Sequence, residues 1–217
     1  MKILLLGNSG SGKDFAAKLF ELSARIYSVR NNYGYSRYSA KEYVKHVIET
    51  LENQEDIGIF TKERFAQPVK DFIHQTFKIP YRILNSSAKD SYKIAIKGEE
   101  ITLRKLIIKI SEEFKNIFGE DIWVDTLLKC TDKNKNWRII VDGRFPNEFA
   151  RAKKQGFITI KIKSWKENKT DFGLNKISEI PEYKIDYILD NNESQLSLFK
   201  KIYRIYESEI KKENDNA

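Results

Sequence analysis

Short runs of apolar residues alternate along the chain with stretches in which apolar residues recur every three or four positions. Such runs are typical of buried strands, and such spacing is typical of amphipathic helices. The runs predict strands at residues 2–6, 57–60, 137–141, 157–162 and 185–189. The spacing predicts helices at residues 13–26, 41–51, 69–77, 102–118, 122–130, 146–155 and 196–210. A strand, a glycine-rich loop and a helix open the chain in that order, so the pattern predicts an α/β fold with parallel strands.

The segments between these elements are mainly polar. Their composition predicts irregular loops at residues 31–39 and 81–100 and a Lys-rich loop at residues 164–180. We expect the tail at residues 211–217, which follows the last predicted helix, to be frayed. The sequence contains no internal repeat and no linker that would split it, so we expect a single domain.

Composition narrows the class of protein. Hydrophobic residues make up 41% of the 217 residues, too many for a disordered chain. The single cysteine, Cys130, excludes an intramolecular disulfide and a multi-cysteine zinc site. The apolar run at residues 3–6 is far shorter than the ~20 residues that a membrane-spanning helix needs. We therefore expect no membrane partner and a location in the cytoplasm.

The net charge of +8 favours an anionic partner. The partner could be the phosphate groups of a small ligand or the backbone of a nucleic acid, and the charge alone does not separate the two. A Lys-rich surface that serves only solubility is the third interpretation.

The most specific motif follows the first predicted strand. Residues 7–13 fit the pattern G-x-x-x-x-G-K, in the order Gly7-Asn8-Ser9-Gly10-Ser11-Gly12-Lys13. Glycines let the backbone curl so that its N–H groups surround an anion. The helix predicted from residue 13 adds the positive end of its dipole, and the lysine adds a full charge. The pattern predicts a phosphate-binding loop; the alternative is a chance glycine turn before a helix.

Two carboxylates near this loop are candidate magnesium ligands. Asp14 stands where a Ser or Thr hydroxyl normally reaches Mg²⁺. It either holds the metal, directly or through water, or orients the loop. Asp142 closes the strand predicted at residues 137–141, where a carboxylate beside the phosphate loop can hold Mg²⁺. Arg144 could neutralise phosphate with its guanidinium; the alternative for Asp142 and Arg144 is a surface pair at a strand end.

A series of short motifs then runs in one order along nearly the whole chain. They are G-K-D at 12–14, A-x-P-V-K at 66–70, L-R-x-L at 103–106, F-G-E-D-x-W at 118–123, D-x-R-x-x-N-E at 142–148, S-E at 178–179 and D-Y-x-x-D-N at 186–191. In this order the chain resembles the phage-type deoxynucleoside monophosphate kinases, within the P-loop nucleoside monophosphate kinase superfamily. It is more distantly similar to phosphomevalonate kinase of the animal type, which shares the S-G-K-D-F loop and a D-x-R strand end.

The resemblance implies a P-loop kinase fold, with a parallel sheet between helices, a helical acceptor-binding subdomain and a lid. The core of a single domain would then comprise residues 1–30, 62–80, 137–163 and 184–210. Acceptor-binding insertions would lie at residues 31–61 and 81–130, and the lid at residues 164–180. The lid would carry Lys166, Lys169 and Lys176; the alternative for this segment is a solvated basic loop.

The resemblance also implies an activity, the Mg²⁺-assisted transfer of the γ-phosphoryl group of ATP to a deoxynucleoside 5′-monophosphate. ATP would bind residues 7–14, and magnesium would bind Asp142 and Asp14. The residues implied in transfer are Lys13, Arg104, Asp142 and Arg144. The residues implied in acceptor binding are Lys70, Arg104, Lys115, Trp123 and Arg144.

The acceptor residues also have plainer interpretations. Lys70 would be a solvated head group at a helix start, Arg104 would extend along apolar neighbours, and Trp123 would be a core aromatic. The sequence departs from the family pattern at three places. Phe15 replaces a common Thr, Ile108 and Ser111 occupy a stretch where Gln and Gly are expected, and the His that often precedes Ser-Glu is replaced near Lys176. No catalytic histidine is therefore inferred.

Other classes of function share parts of this pattern. A kinase of another small phosphorylated acceptor would keep the same ATP site. A nucleic-acid-stimulated ATPase would account for the charge and the tyrosines, although no common nucleic-acid-binding motif is present. A nucleotide sensor would bind ATP without transfer. We expect small nucleotides as partners and no nucleic acid, and we leave a homodimer open. If the gene belongs to a phage, as the resemblance implies, the expected location is the cytoplasm of the host cell.

Overall fold

The computed structural model describes residues 1–33, 48, 58–130, 137–166 and 176–215. The chain forms two compact units. Met1–Glu63 and Lys133–Ala217 form one unit, which we call the sheet unit, and Arg64–Asp132 form the other, the helical unit.

The described elements follow one another in this order: β1 (Lys2–Leu6), α1 (Lys13–Tyr33), β2 (Thr61–Glu63), α2 (Gln67–Phe77), α3 (Tyr81–Leu84), β3 (Lys93–Ile96), β4 (Glu99–Thr102), α4 (Leu103–Phe118), α5 (Ile122–Cys130), β5 (Arg138–Gly143), α6 (Pro146–Lys154), β6 (Ile158–Lys163), β7 (Tyr187–Asp190) and α7 (Gln195–Asp215). Short 3₁₀ turns lie at Ser87–Asp90, Ile177–Glu179 and Glu182–Lys184.

The sheet unit is built on a parallel sheet, which has five strands in the part of the chain that the structure describes. Their order is β2-β5-β1-β6-β7. After β1 the chain returns to the sheet at β2 on one side, and after β6 it returns at β7 on the other side. The connections that follow the neighbouring strands β1 and β6 therefore diverge. In sheets of this kind, ligands bind outside the carboxyl ends of the strands at such a point.

The core of the sheet unit explains why Ile3 to Leu6 of β1 are a continuous apolar run. Ile3 and Leu5 of β1 lie in one cluster with Phe20 of α1 and Ile202 of α7, and all four are fully buried. Leu4, whose side chain lies on the opposite face of the strand, is fully buried as well. A strand buried on both faces favours apolar residues at successive positions, which is typical of parallel sheets covered by helices.

The helical unit combines α2 to α5 with the antiparallel hairpin β3–β4. Its core includes Ile73 of α2, Leu103 of α4 and Trp123 of α5. Helix α4 begins at Leu103, one residue after the predicted start, and Thr102 is its N-cap. Thr102 Oγ1 accepts a hydrogen bond from the Lys105 N–H over 3.4 Å.

The predicted class is confirmed, since the fold is α/β with a parallel sheet flanked by helices. The strands predicted at 2–6, 137–141, 157–162 and 185–189 correspond to β1, β5, β6 and β7 within two residues at either end. The helices predicted at 69–77, 102–118, 122–130 and 146–155 correspond equally closely to α2, α4, α5 and α6.

Other predicted boundaries are wrong. Helix α1 continues to Tyr33, so the loop predicted from residue 31 does not begin there. Residues 58–60 form a bend, and the strand predicted at 57–60 lies instead at Thr61–Glu63. Helix α7 continues to Asp215, which leaves no frayed end over residues 211–215. The apolar spacing ends where a helix leaves the core, whereas each added backbone hydrogen bond still favours its extension.

Residues 81–100 are the largest error, because they are not irregular. They contain α3, a 3₁₀ turn and most of the β3–β4 hairpin. The hairpin turns at Lys97 and Gly98, whose φ angles are 52° and 83°. Two consecutive left-handed residues are typical of two-residue hairpins. The flanking strands have four residues each and include Lys93, Glu99 and Glu100, so their alternation of apolar and polar residues is too short to stand out.

Two predictions fall largely outside the described residues. The loop predicted at residues 34–39 lies wholly outside them. Of the helix predicted at residues 41–51, the structure describes Ile48, which is helical and buried.

Candidate functional site

The glycine loop, residues 7–13, lies at the carboxyl edge of the parallel sheet. It connects β1 to α1 and is held by the ends of neighbouring strands. The Gly7 N–H donates to the carbonyl oxygen of Gly143, the last residue of β5, over 3.3 Å. Asn191, directly after β7, donates from Nδ2 to the Ser11 carbonyl oxygen over 3.0 Å. The loop therefore occupies the place where this sheet topology favours a ligand.

The space around the loop requires glycine at two positions. A Cβ on Gly7 would lie 2.8 Å from the Ile162 carbonyl oxygen, and a Cβ on Gly12 would lie 2.4 Å from Asn191 Nδ2. Gly12 also has a φ of 95°, and Gly10 has a φ of 78°. These are left-handed conformations that glycine adopts without steric cost. The curl of the loop depends on these glycines.

The curl leaves backbone donors at the start of α1. The Ser11 N–H donates to the Asn8 carbonyl oxygen over 3.2 Å. Among the described residues, no acceptor is hydrogen-bonded to the N–H groups of Gly10 and Gly12. The first N–H groups of a helix have no acceptor within the helix, and its dipole places partial positive charge there. This is an arrangement that binds anions.

Lys13 folds back over the loop from the first turn of α1. Its Nζ donates to the carbonyl oxygens of Gly7 and Asn8, each over 2.7 Å. The residue is 7% exposed, so its ammonium is largely removed from water. A buried charge needs polar partners, and the loop carbonyls supply them. The result is a positive charge fixed against the curled backbone.

Asp14, a predicted magnesium ligand, is exposed in the first turn of α1. Its Oδ1 lies 3.4 Å from Nζ of Lys62, a residue of β2. A carboxylate at this end of a helix is stabilised by the helix dipole. Lys62 was not predicted as a site residue, because a single lysine on a three-residue strand gives no sequence signal. Its position beside the glycine loop follows from the place of β2 in the sheet.

The end of β5 brings Asp142 and Arg144 to the same edge of the sheet as the glycine loop. Asp142 is half-buried and lies inside β5, which continues through Gly143. Arg144 follows the strand on a fixed backbone. Oε2 of the buried Glu148 accepts hydrogen bonds from the N–H groups of Arg144, over 2.7 Å, and Phe145, over 2.9 Å. The Glu in the third position of α6 is a helix-start signal that could have identified this support.

Arg104 lies in the helical unit, on the first turn of α4. It forms a two-point ion pair with Asp90, in which Nε contacts Oδ1 and Nη2 lies 3.1 Å from Oδ2. The Arg104 guanidinium holds the pKa of Asp90 below its usual value. Burial, together with Arg104 and Arg64, lowers the pKa of Lys89, whose Nζ donates to the Ser86 carbonyl oxygen over 2.7 Å. Arg104 and Lys89 therefore both stabilise the charged form of Asp90.

The other basic acceptor candidates of the helical unit have polar contacts of their own. Lys70 donates from Nζ to Asn85 Oδ1 over 2.9 Å. Lys115 Nζ lies 3.5 Å from a carboxylate oxygen of Glu120. Both ammonium groups are therefore positioned by side chains of the helical unit itself.

Trp123 belongs to the core of the helical unit. It is 8% exposed, and its Nε1 donates to the Ser111 carbonyl oxygen over 3.2 Å. Its ring stacks on Phe114, with ring centroids 5.0 Å apart. A buried indole with its N–H satisfied favours the interpretation of Trp123 as a core residue over that of a base-stacking residue.

The predicted lid is described only at its two ends. Residues 167–175, which include Lys169, lie outside the described residues. Lys166 and Lys176 are exposed, and the Lys166 ammonium lies 5.2 Å from the centre of the Trp165 ring. The Trp165 N–H donates to Asn192 Oδ1 over 2.7 Å, so this end is fastened to the turn after β7.

Within the described ranges, no group of three or more His, Cys, Asp or Glu side chains is placed to hold a metal ion. No helix of those ranges combines the length and apolar character needed to cross a membrane.

No protein-family model matches the chain, and no curated protein matches it at significant similarity.

Proposed function

We propose that the chain is a P-loop kinase that transfers the γ-phosphoryl group of ATP to a deoxynucleoside 5′-monophosphate. The observation that carries the proposal is the glycine loop. It is curled at the carboxyl edge of a parallel sheet, it exposes the N–H groups of Gly10 and Gly12, and Lys13 is folded across it. A triphosphate has several anionic oxygens in a row, which suits a row of donors backed by a fixed cation.

Phosphoryl transfer needs alignment of two anions and cancellation of their charge more than covalent chemistry from the protein. In this proposal the loop amides and Lys13 hold the β- and γ-phosphates of ATP. Arg144, whose backbone is fixed by Glu148, neutralises charge that develops on the phosphoryl group during transfer. Holding donor and acceptor in line can remove about 7–11 kcal/mol of the barrier.

Magnesium fits the carboxylates at this edge of the sheet unit. Mg²⁺ is usually held by one or two carboxylates together with phosphate oxygens, and it keeps several waters. Asp142 supplies a half-buried carboxylate at the end of β5, and Asp14 supplies an exposed one at the start of α1. When bound, the ion would neutralise charge on the β- and γ-phosphates.

The acceptor half of the proposal is supported by the positive charge of the helical unit. Arg104 and Lys89 both act on Asp90, and Arg64 lies close enough to Lys89 to lower its pKa, so three cations lie near one another on this surface. A phosphate monoester that displaced Asp90 from Arg104 would gain a two-point contact with the same guanidinium. The choice of a deoxynucleoside as the carrier of that phosphate rests on the resemblance of the sequence motifs.

The test is steady-state phosphoryl transfer from γ-labelled ATP to a panel of deoxynucleoside monophosphates, ribonucleoside monophosphates and non-nucleotide phosphates. We expect transfer to at least one deoxynucleoside monophosphate. Lys13→Ala should lower kcat/KM by about a hundredfold or more, as removal of a donor aimed at developing charge does elsewhere. Lys211→Ala, an exposed lysine of α7, is the matched control and should retain the wild-type rate.

The panel separates the rival functions. Transfer only to a non-nucleotide phosphate would keep the donor site and replace the acceptor. ATP hydrolysis that rises with added DNA or RNA, with no phosphorylated acceptor, would replace the kinase by a nucleic-acid-stimulated ATPase. Near-normal transfer by Lys13→Ala would remove the glycine loop from the mechanism.

A further inference from the structure

Asn191 contacts the one peptide of the glycine loop that carries the Gly12 N–H. Its Nδ2 donates to the Ser11 carbonyl oxygen over 3.0 Å, although the two residues are 180 positions apart in sequence. The same Nδ2 would lie 2.4 Å from a Cβ on Gly12, so the amide packs directly against the Gly12 α-carbon. The side chain therefore fixes both the oxygen and the position of the Ser11–Gly12 peptide.

This contact determines where the Gly12 N–H points. In a planar trans peptide the C=O and the following N–H point in opposite directions. Because Asn191 holds the Ser11 carbonyl on its own side, the Gly12 N–H points away from Asn191. That N–H has no hydrogen-bonded acceptor among the described residues. It is therefore a donor with a fixed direction, next to Lys13 at the start of α1.

The turn that carries Asn191 is itself fixed. The Asn191 N–H donates to the Lys163 carbonyl oxygen at the end of β6 over 2.8 Å. The Asn192 N–H donates to Asp190 Oδ1 over 3.0 Å, and Asn192 Oδ1 accepts from the Trp165 N–H over 2.7 Å. A side chain on such a turn can hold a binding group in place without an ordering cost at the moment of binding.

We propose that Asn191 is a positioning residue of the ATP site, which orients the Gly12 N–H toward a phosphate of the donor. The inference rests on the proposed function and assigns the β-phosphate as the ligand of the Gly12 N–H, because the backbone N–H groups of such a loop surround the α- and β-phosphates. Asn191 touches the loop backbone and not the nucleotide. The alternative role for Asn191 is a contact with the base of the nucleotide, and the experiment is designed to separate the two roles.

The experiment compares binding of Mg²⁺-tripolyphosphate, Mg²⁺-ATP and Mg²⁺-GTP by isothermal titration calorimetry in wild type, Asn191→Ala and Asn191→Asp. Asn191→Asp keeps the shape of the side chain but has no N–H to donate. Asn214→Ala, an exposed asparagine near the end of α7, is the matched control. Melting temperatures of all four proteins show whether the variants are folded.

We expect both Asn191 variants to weaken tripolyphosphate and ATP alike, by about tenfold or more, since a hydrogen bond to a charged group is lost or misdirected. The ratio of ATP to GTP affinity should stay unchanged. The amide resonance of Gly12 should shift on addition of tripolyphosphate in the wild type and shift less in Asn191→Asp. Retention of this shift in a folded variant would count against the inference.

Two other outcomes overturn the inference in distinguishable ways. Unchanged tripolyphosphate affinity with an altered ATP to GTP ratio would assign Asn191 to the base and overturn the inference alone. Absence of both ATP and tripolyphosphate binding in the wild-type protein would overturn the proposed function together with the inference.

Discussion

At the scale of single residues, the glycine loop is shaped by what lies next to its α-carbons. A Cβ on Gly143 would lie 3.0 Å from the Leu5 carbonyl oxygen, so β5 and β1 approach each other closely beside the loop. Gly7 and Gly12 are confined in the same way by Ile162 and Asn191. Together with the hydrogen bond from the Gly7 N–H to the Gly143 carbonyl oxygen, these contacts join the loop to β5, to β6 and to the turn after β7. They explain why a loop of small residues can keep one shape.

Gly12→Ala should weaken ATP binding by about tenfold or more, because its new methyl group must displace Asn191 from the Ser11 carbonyl. Gly156→Ala is the matched control. Gly156 has a φ of 77°, but a Cβ there would meet nothing within 4 Å. Both substitutions place alanine in a left-handed conformation, and only the first should raise the Kd of ATP. Equal ATP affinity in the two variants would contradict this account of the loop.

The hydrogen-bonded carboxylate of Asp186 should make the free energy of unfolding of the sheet unit depend on pH. Its Oδ2 accepts from the Thr159 N–H and hydroxyl, each over 2.8 Å, and Lys153 pairs with its other oxygen. Burial raises the pKa of Asp186, but the hydrogen bonds from Lys153 and Thr159 outweigh burial and hold the pKa below its usual value. A lowered pKa in the folded state adds stability above the unfolded-state pKa of about 3.9. That stability is lost as the pH falls through the folded-state pKa.

Asp186→Asn should therefore be less stable than the wild type at pH 7, and the difference should narrow below pH ~4. Urea unfolding between pH 2 and pH 7 measures it. Asp215→Asn, an exposed residue at the end of α7, serves as control and should follow the wild-type curve. A difference that is constant with pH would show that the Asp186 charge is not involved.

At the scale of elements, a buried ion pair fastens the edge strand β2 to β5. Arg138 donates from Nη2 to Glu63 Oε2 over 2.7 Å and from Nε to the same oxygen over 3.0 Å. The two side chains are 6% and 7% exposed. The Arg138 guanidinium also lies over the Phe157 ring, 5.2 Å from its centre. Strand β2 is three residues long, so side-chain contacts of this kind contribute a large share of its attachment.

Arg138→Met should destabilise the sheet unit by about 3–5 kcal/mol, since it leaves the Glu63 carboxylate buried without its partner. Glu63→Leu combined with Arg138→Met should recover most of that loss, because the buried charge is then gone. Arg30→Met, which breaks an exposed pair with Glu207 between α1 and α7, should cost at most about 1 kcal/mol. Urea denaturation gives the three values. A loss in Arg138→Met no greater than in Arg30→Met would contradict the role of the buried pair.

At the scale of the whole molecule, the chain forms two compact units that carry different candidate site residues. The sheet unit contains the glycine loop, Asp142 and Arg144, and the helical unit contains Lys70, Arg104, Lys115 and Trp123. A ligand that binds the native sheet unit and not its unfolded form stabilises that unit by mass action. Ligand-induced stabilisation is therefore a direct test of the proposed ATP site.

Mg²⁺-ATP at about a hundred times its Kd should stabilise the sheet unit by about 2.7 kcal/mol. For a chain of this size that corresponds to a rise in Tm of about 5–10 °C. Differential scanning calorimetry with ATP, with adenosine and with Lys13→Ala measures the effect. Adenosine has no phosphate, and Lys13→Ala lacks the buried ammonium, so neither should reproduce the shift. An equal shift with adenosine would place the binding energy outside the glycine loop.

The sequence by itself determined the fold class, most of the long elements and the candidate phosphate loop. These features are seen in the sequence as apolar runs, helical spacing and glycines before a lysine. All three are local patterns, because the backbone conformation that each one favours depends on residues close together in the chain. The pattern missed the β3–β4 hairpin, whose short charged strands are stabilised by pairing with each other. It also placed β2 four residues too early, because a short strand is defined by its neighbour in the sheet.

Only the tertiary structure decided which distant side chains complete the candidate site. Asn191 reaches Ser11 because β7 and β1 end at the same edge of one sheet. Lys62 reaches Asp14, and Arg138 meets Glu63, for the same reason of strand order. Contacts between residues far apart in sequence leave no local pattern. The glycine loop can therefore be recognised from the sequence, whereas the residues that hold it in shape are seen only in the folded structure.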